Sequence, residues 1–270
     1  MRINFIGGGN MASALIGGLL RQPGLSAADL AVVEVSRDAR ENLASRFKVA
    51  VFPSAADAPP ADMLVLAVKP QQMRQAAIDL RTQVRDTLVI SIAAGIRTGD
   101  LSRWLNGHSR IVRAMPNMPA MVSAGITGLY AMPETRDSER AAAETVLQAV
   151  GSTLWVERED LLDAVTAVSG SGPAYAFYFA EALEEAAASL GFDEQSARRL
   201  AIESFAGAMR LAAQSPEPPA VLRARVTSPG GTTERALQSL DGNQVKRAII
   251  EAVRAAAERA RELGDEYAKD

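Results

Sequence analysis

The chain has 270 residues, of which 48% are hydrophobic and 23% charged, and its formal net charge is −3. This length suits two domains, and this composition is typical of a globular protein. The small net charge gives no electrostatic reason to expect nucleic acid or an anionic membrane as a partner, and no run approaches the roughly 20 apolar residues of a membrane-spanning helix. We therefore expect a cytoplasmic protein that binds a small molecule.

Missing residue types restrict the chemistry. There is no cysteine, which excludes thiolate catalysis, and the single histidine, His108, excludes a multi-histidine zinc site. No lysine lies between Gln71 and Val245, so the usual proton-transfer side chains are scarce. His108 stands in a stretch with the composition of a surface turn, and we interpret it as structural. No metal site is predicted.

The first part of the chain alternates short apolar runs with amphipathic stretches. Strands are predicted at residues 2–6, 31–35, 63–68, 87–92, 110–113, 125–130 and 153–156. Helices are predicted between them at residues 10–21, 38–47, 71–80, 98–105 and 134–150. Such alternation indicates βαβ units, so we predict a Rossmann-type, doubly wound, mainly parallel α/β domain over residues 1–157.

After residue 157 the pattern changes to alanine-rich helical segments. Helices are predicted at residues 160–168, 173–190, 193–214, 232–240 and 243–267, which makes residues 158–270 an all-helical domain. Residues 174–180 are apolar or aromatic at every position, so their helix should be buried on all sides. The other helices offer few large side chains to cover it. This favours a homodimer, and a central helix in a monomeric bundle is the alternative.

The sharpest motif places Gly7, Gly9 and Ala12 at the spacing G-x-G-x-x-[GA], between a strand and a helix. Gly7 would make the tight turn, Gly9 would let a pyrophosphate approach the backbone, and Ala12 would let the helix pack closely on the strand. The helix that begins near Asn10 and Met11 would offer free amides to the phosphates. The motif predicts a dinucleotide site.

The end of the second predicted strand bears on the choice between NADPH and NADH. Arg and small polar groups there hold a 2′-phosphate, whereas a carboxylate binds the 2′-hydroxyl. Ser36 and Arg37 follow the strand and could meet a phosphate. Glu34 keeps NADH possible, and Arg37 has the alternative interpretation of a solvated surface residue. We predict NADPH as the preferred cofactor, with NADH as the alternative.

Two further strand ends and two glycine-rich loops are the remaining candidates for ligand binding. Ligands bind at the carboxyl ends of parallel strands, where this sequence has Ala67, Val68, Lys69, Pro70, Ala93 and Ala94. The loops at residues 169–173 and 226–233 each lead into a predicted helix. They could be helix caps, but so many small residues in succession also suit a carboxylate held by amides and hydroxyls.

With these motifs the chain resembles the pyrroline-5-carboxylate reductase family. The matching segments span nearly the whole chain in the expected order, at residues 5–12, 67–70, 113–119, 169–175 and 226–233, and the last is highly specific. The resemblance implies a Rossmann domain followed by a helical dimerisation domain, with NAD(P)H as hydride donor. It implies 1-pyrroline-5-carboxylate as the substrate, whose reduction gives L-proline.

The resemblance also implies roles for particular residues. Residues 67–70, with Ala93 and Ala94, would line the nicotinamide site, and the substrate would be bound by Ser228, Gly230, Gly231, Thr232 and Thr233. Thr233 would lie near the imine nitrogen as the candidate catalytic residue, and its hydroxyl pKa is too far from neutral for anything but positioning. No contact is assigned to Arg225. A cyclic imine can arrive already protonated, which suits a chain with few acids and bases.

Two alternatives fit the sequence less well than this family. A β-hydroxyacid dehydrogenase also joins a Rossmann domain to helices, but it carries a lysine shortly after a similar glycine-rich helix entry, and residues 173–185 have none. A non-catalytic NADP-binding protein would leave the loop at residues 228–233 without a purpose. We expect a homodimer, or a higher oligomer built from dimers.

Overall fold

The structure is a computed structural model that describes residues 1–268. Within these residues one sheet of eight strands has the order β3-β2-β1-β4-β5-β6-β7-β8, and all neighbours are parallel except β6 and β7. The strands are β1 (Ile3–Ile6), β2 (Leu30–Val33), β3 (Ala50–Phe52), β4 (Met63–Leu66), β5 (Leu88–Ser91), β6 (Ile111–Met115), β7 (Gly125–Ala131) and β8 (Gly151–Trp155). The predicted Rossmann-type, mainly parallel sheet is confirmed.

Helices connect these strands and continue alone after the last one. Those of the α/β part are α1 (Asn10–Leu19), α2 (Arg37–Phe47), α3 (Pro70–Leu80), α4 (Thr98–Trp104) and α5 (Asp137–Gln148). After β8 come α6 (Leu161–Val165), a π-helical turn (Thr166–Gly170), α7 (Gly172–Ser189), α8 (Glu194–Gln214), α9 (Pro219–Arg225), α10 (Thr232–Gly242) and α11 (Val245–Ala268). No helix among the described residues is both long enough and apolar enough to cross a membrane.

Successive side chains of a strand point to opposite sides of the sheet, and in the central strands helices cover both sides. Phe5 belongs to the core on one side, with Leu15 and Ile16 of α1. Its neighbour Ile6 belongs to the core on the other side, with Met73 of α3. Burial on both sides explains why the strands are continuous apolar runs, and why this part of the fold could be predicted.

Three features of the fold were not predicted. Strand β3 has only three residues and no buried position, so no apolar pattern marks it. Helix α9 begins at Pro219, in a stretch for which no helix was predicted, and proline suits the first turn of a helix. Only Ser171 of the loop predicted at residues 169–173 is not helical, because a π-helical turn extends α6 to Gly170 and α7 begins at Gly172.

Internal contacts divide the chain into two units. The first contains residues 1–171 together with the chain from Ala256 onward, and the second contains Gly172–Ala255. In the second unit Ala180 of α7 is buried, but Phe177 and Tyr178 are 57% and 72% exposed. The predicted burial of residues 174–180 on all sides is therefore not achieved within a single chain.

A buried carboxylate joins α5 to the sheet of the first unit. Glu139 is 7% exposed and accepts hydrogen bonds from the backbone and guanidinium of Arg136, at 2.9 and 2.8 Å, and from the guanidinium of Arg110. Burial alone would raise the pKa of Glu139, but the hydrogen bonds from Arg136 and Arg110 outweigh it and lower the pKa to about 2.

We expect Glu139→Gln to lower the free energy of unfolding at pH 7 by up to about 3 kcal/mol. The folded-state pKa lies below the ordinary value of 4.5, so the stabilisation is complete above that value and is lost as the pH falls toward 2. Urea unfolding at several pH values should show the gap to wild type narrowing below about pH 5. Exposed Glu134→Gln is the control, and a pH-independent gap for Glu139→Gln would contradict the assignment.

Candidate active site

A cleft of about 810 Å³ lies at the carboxyl ends of the strands, where the sheet order reverses between β1 and β4. Open α/β sheets bind ligands at this point, and sites for small molecules and cofactors have volumes of about 300–1,000 Å³. The lining comes from the turn after β1, the ends of β2 and β4, the segment after β3, and α3. The cleft thus lies beside the predicted glycine motif.

The glycine turn has the geometry that the motif predicts. Gly7 has φ +96°, and a Cβ there would lie 2.8 Å from the carbonyl oxygen of Ala67. At Gly9 a Cβ would meet nothing within 4 Å, so the turn is open to a ligand on that side. Gly9 caps α1 without a side chain, and the first amides of a helix have no partner in its own backbone. The amides of Asn10 and Met11 can therefore hold phosphate oxygens.

The end of β2 holds a carboxylate directly in the cleft. Glu34 accepts hydrogen bonds from the amide of Gly8 at 2.9 Å and from the amide of Ser36 at 2.8 Å. The hydroxyl of Ser36 caps α2, and the guanidinium of Arg37 is 82% exposed and paired with Glu41 at 2.8 Å. Glu34, which we had named only as the residue that keeps NADH possible, thus ties the glycine turn to the start of α2.

Arg40 is a basic residue that sequence reasoning missed. Its Nη1 donates to the carbonyl oxygens of Glu34 and Val35, at 2.6 and 2.8 Å, so the guanidinium is held against the loop after β2. The sequence indicates this contact only through spacing. Arg40 lies one helical turn after Ser36, so its side chain can reach back to the loop after β2.

The other half of the cleft begins where β4 leads into α3. Ala67, Val68 and Lys69 line it, and Pro70 is the first residue of α3. Three glutamines of α3 that were not predicted also line it, namely Gln71, Gln72 and Gln75. On the neighbouring strand end Ala93 is only 5% exposed and packs in the core, and Ala94 is half-buried. Neither alanine lines this cleft.

The specific loop at residues 226–233 lies in the second unit and leads into α10. The amide of Gly230, one of the predicted substrate contacts, already donates to the carboxylate of Glu234 at 2.7 Å. Thr232 and Thr233 occupy the first turn of α10, where backbone amides have no intrahelical partner. Arg225 is paired with Glu217 at 2.6 Å. The loop can hold a small carboxylate through the first turn of α10.

The sheet, the glycine turn and the cleft define a Rossmann-type dinucleotide-binding protein. Residues 2–95 match the family model for NADP oxidoreductase, coenzyme F420-dependent, and residues 159–263 match that for pyrroline-5-carboxylate reductase dimerisation. The pyrroline-5-carboxylate reductase of Pseudomonas aeruginosa is 42% identical, and the match covers 98% of this chain and 97% of the relative. The chain belongs to the pyrroline-5-carboxylate reductase family, whose members are NAD(P)H-dependent oxidoreductases.

Solved structures agree with this assignment. A pyrroline-5-carboxylate reductase from Coxiella burnetii is 40% identical with a TM-score of 0.91, over 97% of this chain and 98% of that one. A pyrroline carboxylate reductase from Plasmodium falciparum with NADP bound is 26% identical with a TM-score of 0.87, over 98% of each chain.

Replacing glycines in the turn should separate folding from cofactor binding. Gly9→Ala should leave the thermal unfolding midpoint unchanged, because its Cβ meets no atom, and should weaken NADPH binding if the pyrophosphate lies there. Gly7→Ala should destabilise the fold by more than about 1 kcal/mol through backbone strain and the contact with Ala67. Gly24→Ala, at φ +94° in open space, is the control for strain alone. If Gly9→Ala bound NADPH with the same dissociation constant as wild type, this placement of the pyrophosphate would be contradicted.

Proposed function

We propose that this chain reduces 1-pyrroline-5-carboxylate to L-proline with NAD(P)H, in the last step of proline biosynthesis. The observation that carries the proposal is the match along nearly the full chain to a pyrroline-5-carboxylate reductase at 42% identity. The test is the loss of NADPH absorbance in the presence of the imine. Binding of NADPH without any turnover would instead favour a non-catalytic dinucleotide-binding protein.

The residues present suit a reaction driven by alignment. NAD(P)H supplies the hydride when bound. A protonated imine is a good hydride acceptor, so the chain needs no strong acid. His108 is not available as a proton donor near neutral pH, because burial disfavours its charged, protonated form and lowers its pKa. Holding two molecules in a reactive geometry can lower the barrier by roughly 7–11 kcal/mol.

We propose that the cofactor occupies the cleft of the first unit. Its pyrophosphate would meet Gly7, Gly9 and the first turn of α1, with Asn10, Met11 and Ala12. Its nicotinamide would lie toward the ends of β4 and β5, at residues 67–70, Ala93 and Ala94. Support comes from the open side of Gly9 and from the small side chains of these strand ends.

NADPH is the proposed preferred cofactor, with Ser36 and Arg37 contacting its 2′-phosphate. Both residues lie at the N-terminus of α2, where the helix dipole favours an anion, and Arg40 holds a second guanidinium one turn further on. Glu34 opposes this preference, because its carboxylate in the cleft repels a phosphate and suits the 2′-hydroxyl of NADH. The preference is the balance between these groups.

The proposed substrate contacts are Ser228, Gly230, Gly231, Thr232 and Thr233. The substrate carboxylate would meet the first turn of α10, where the amides and dipole favour an anion. Because the amides of Gly230 and Gly231 donate to the carboxylate of Glu234 and to the carbonyl oxygen of Ser228, we assign the carboxylate mainly to the amides of Thr232 and Thr233. Thr233 is half-buried, and we propose that its hydroxyl positions the imine nitrogen.

We further propose a homodimer formed by the helical part, with the functional boundary between residues 157 and 158. Support comes from the dimerisation model, which begins at residue 159, and from the exposed Phe177 and Tyr178 of α7. Large apolar side chains that are exposed next to one another mark an interaction surface. Assembly beyond the dimer and a cytoplasmic location stay predictions from the sequence.

Arg37→Ala should raise the KM for NADPH about tenfold and leave the KM for NADH nearly unchanged, since only NADPH carries the 2′-phosphate. Glu34→Gln should have the opposite effect and lower the KM for NADPH relative to the KM for NADH. Steady-state rates with each cofactor decide this. The control is Arg199→Ala on α8, which removes a similarly exposed arginine paired with a glutamate four residues on. An equal rise in the KM for both cofactors in Arg37→Ala would contradict the assignment.

Thr233→Ala should lower the turnover rate about ten- to a hundredfold, the equivalent of losing about 1–3 kcal/mol of transition-state stabilisation. NADPH binding should be unaffected, and Thr233→Ser should restore much of the rate because it keeps the hydroxyl. Wild-type turnover in Thr233→Ala would show that the residue serves only the start of α10.

Phe177→Asp should lose assembly and activity together, because it places a charge in the proposed dimer interface. Sedimentation and turnover would be measured on the same preparation at micromolar concentration. A fully active species of 28.6 kDa, in the wild type or the variant, would contradict the dimer requirement.

A further inference from the structure

The C-terminal end of α11 reaches the dinucleotide-binding part of the fold. From Ala256 onward this helix belongs to the first unit, together with the sheet and the cleft. Its last two turns contact the start of α3 and the loop that joins β5 to α4. Both segments follow strand ends that we assign to the nicotinamide half of the cleft.

Tyr267 bridges these two segments. Its hydroxyl lies 3.1 Å from Nε2 of Gln71, which lines the cleft one residue after the start of α3. Its ring lies against Gly95, where an added Cβ would be only 3.0 Å from ring carbon Cδ2. Gly95 also has φ +76°, so both its conformation and this contact require glycine. One side chain thus supports both segments.

Arg97 and its partners hold the same turn of α11 in place. Its guanidinium pairs with Asp265 at 2.7 Å. An added Cβ at Gly264 would lie 3.0 Å from Nη2 of Arg97, so glycine lets the guanidinium pack flat against the helix. A neighbouring cavity of about 330 Å³ is lined by Tyr267, Gln71 and Trp104.

We infer that Tyr267 is a positioning residue, which fixes the start of α3 and the loop after β5 for the nicotinamide half of the cofactor. The inference rests on the proposed function. Hydride transfer depends on the placement of the nicotinamide within a fraction of an ångström, so loosening either segment lowers turnover more than it lowers cofactor affinity. A residue that only stabilised the fold would change the unfolding midpoint and leave both kinetic constants unchanged.

The test compares Tyr267→Phe, Gln71→Ala and the double variant with wild type. Tyr267→Phe keeps the ring on Gly95 and removes only the hydroxyl, so it should fold normally. NADPH dissociation constants are measured by fluorescence titration, and kcat is measured with the imine. We expect each single variant to lose about three- to tenfold in kcat, and the double variant to lose no more than the worse single variant. Glu262→Gln, exposed on the same helix, is the matched control and should behave as wild type.

The outcomes separate the inference from the function on which it rests. Wild-type kcat for Tyr267→Phe, or independent effects that multiply in the double variant, would overturn the positioning role. So would a lower unfolding midpoint with unchanged kinetics. A wild-type chain that bound neither NADPH nor NADH would overturn the proposed function and the inference with it. The expected loss of kcat in both single variants without a further loss in the double variant supports the inference.

Discussion

The close approach of two backbones, at Gly7 and at the carbonyl of Ala67, is the constraint from which the cleft follows. With a Cβ at Gly7 only 2.8 Å from that oxygen, the turn after β1 could not lie against the end of β4. This contact sets where α1 begins and therefore where its free amides point. It also keeps the ends of β1 and β4 side by side at the reversal of strand order, which is where the cleft opens.

Groups of opposite charge lie close together around the loop after β2. Glu34 is held by two backbone amides, of Gly8 and Ser36, and is therefore fixed near the proposed ribose site. The N-terminus of α2 and the guanidinium of Arg40 supply the opposite charge within the same few residues. In the proposed cofactor site, selection between a 2′-hydroxyl and a 2′-phosphate would be a competition between these neighbouring groups.

The helical part illustrates a different constraint. Its α7 carries Phe177 and Tyr178, which one chain leaves exposed. The neighbouring α8 likewise leaves Leu200, Ile202 and Met209 exposed. Burial of such side chains stabilises by about 25 cal/mol per Å² of apolar surface, which gives a second copy of the chain a strong reason to associate. Stability and assembly are then linked, because the same apolar surface serves both.

The sequence by itself determined the class of fold and the glycine turn. Continuous apolar strands and the spacing of Gly7, Gly9 and Ala12 are local properties, and local rules of backbone conformation suffice to interpret them. Strand β3 escaped because three residues without a buried position carry no pattern.

Only the tertiary structure decided which side chains meet. It brought Glu34 to Gly8 and Gln71 to Tyr267, pairs that are 26 and 196 residues apart in the chain. It also showed that the carboxylate of Glu234 takes the amide of Gly230. Sequence patterns report the face on which a residue lies, whereas a hydrogen bond depends on the position of two atoms to within a few tenths of an ångström. That position is set by the packing of the whole domain.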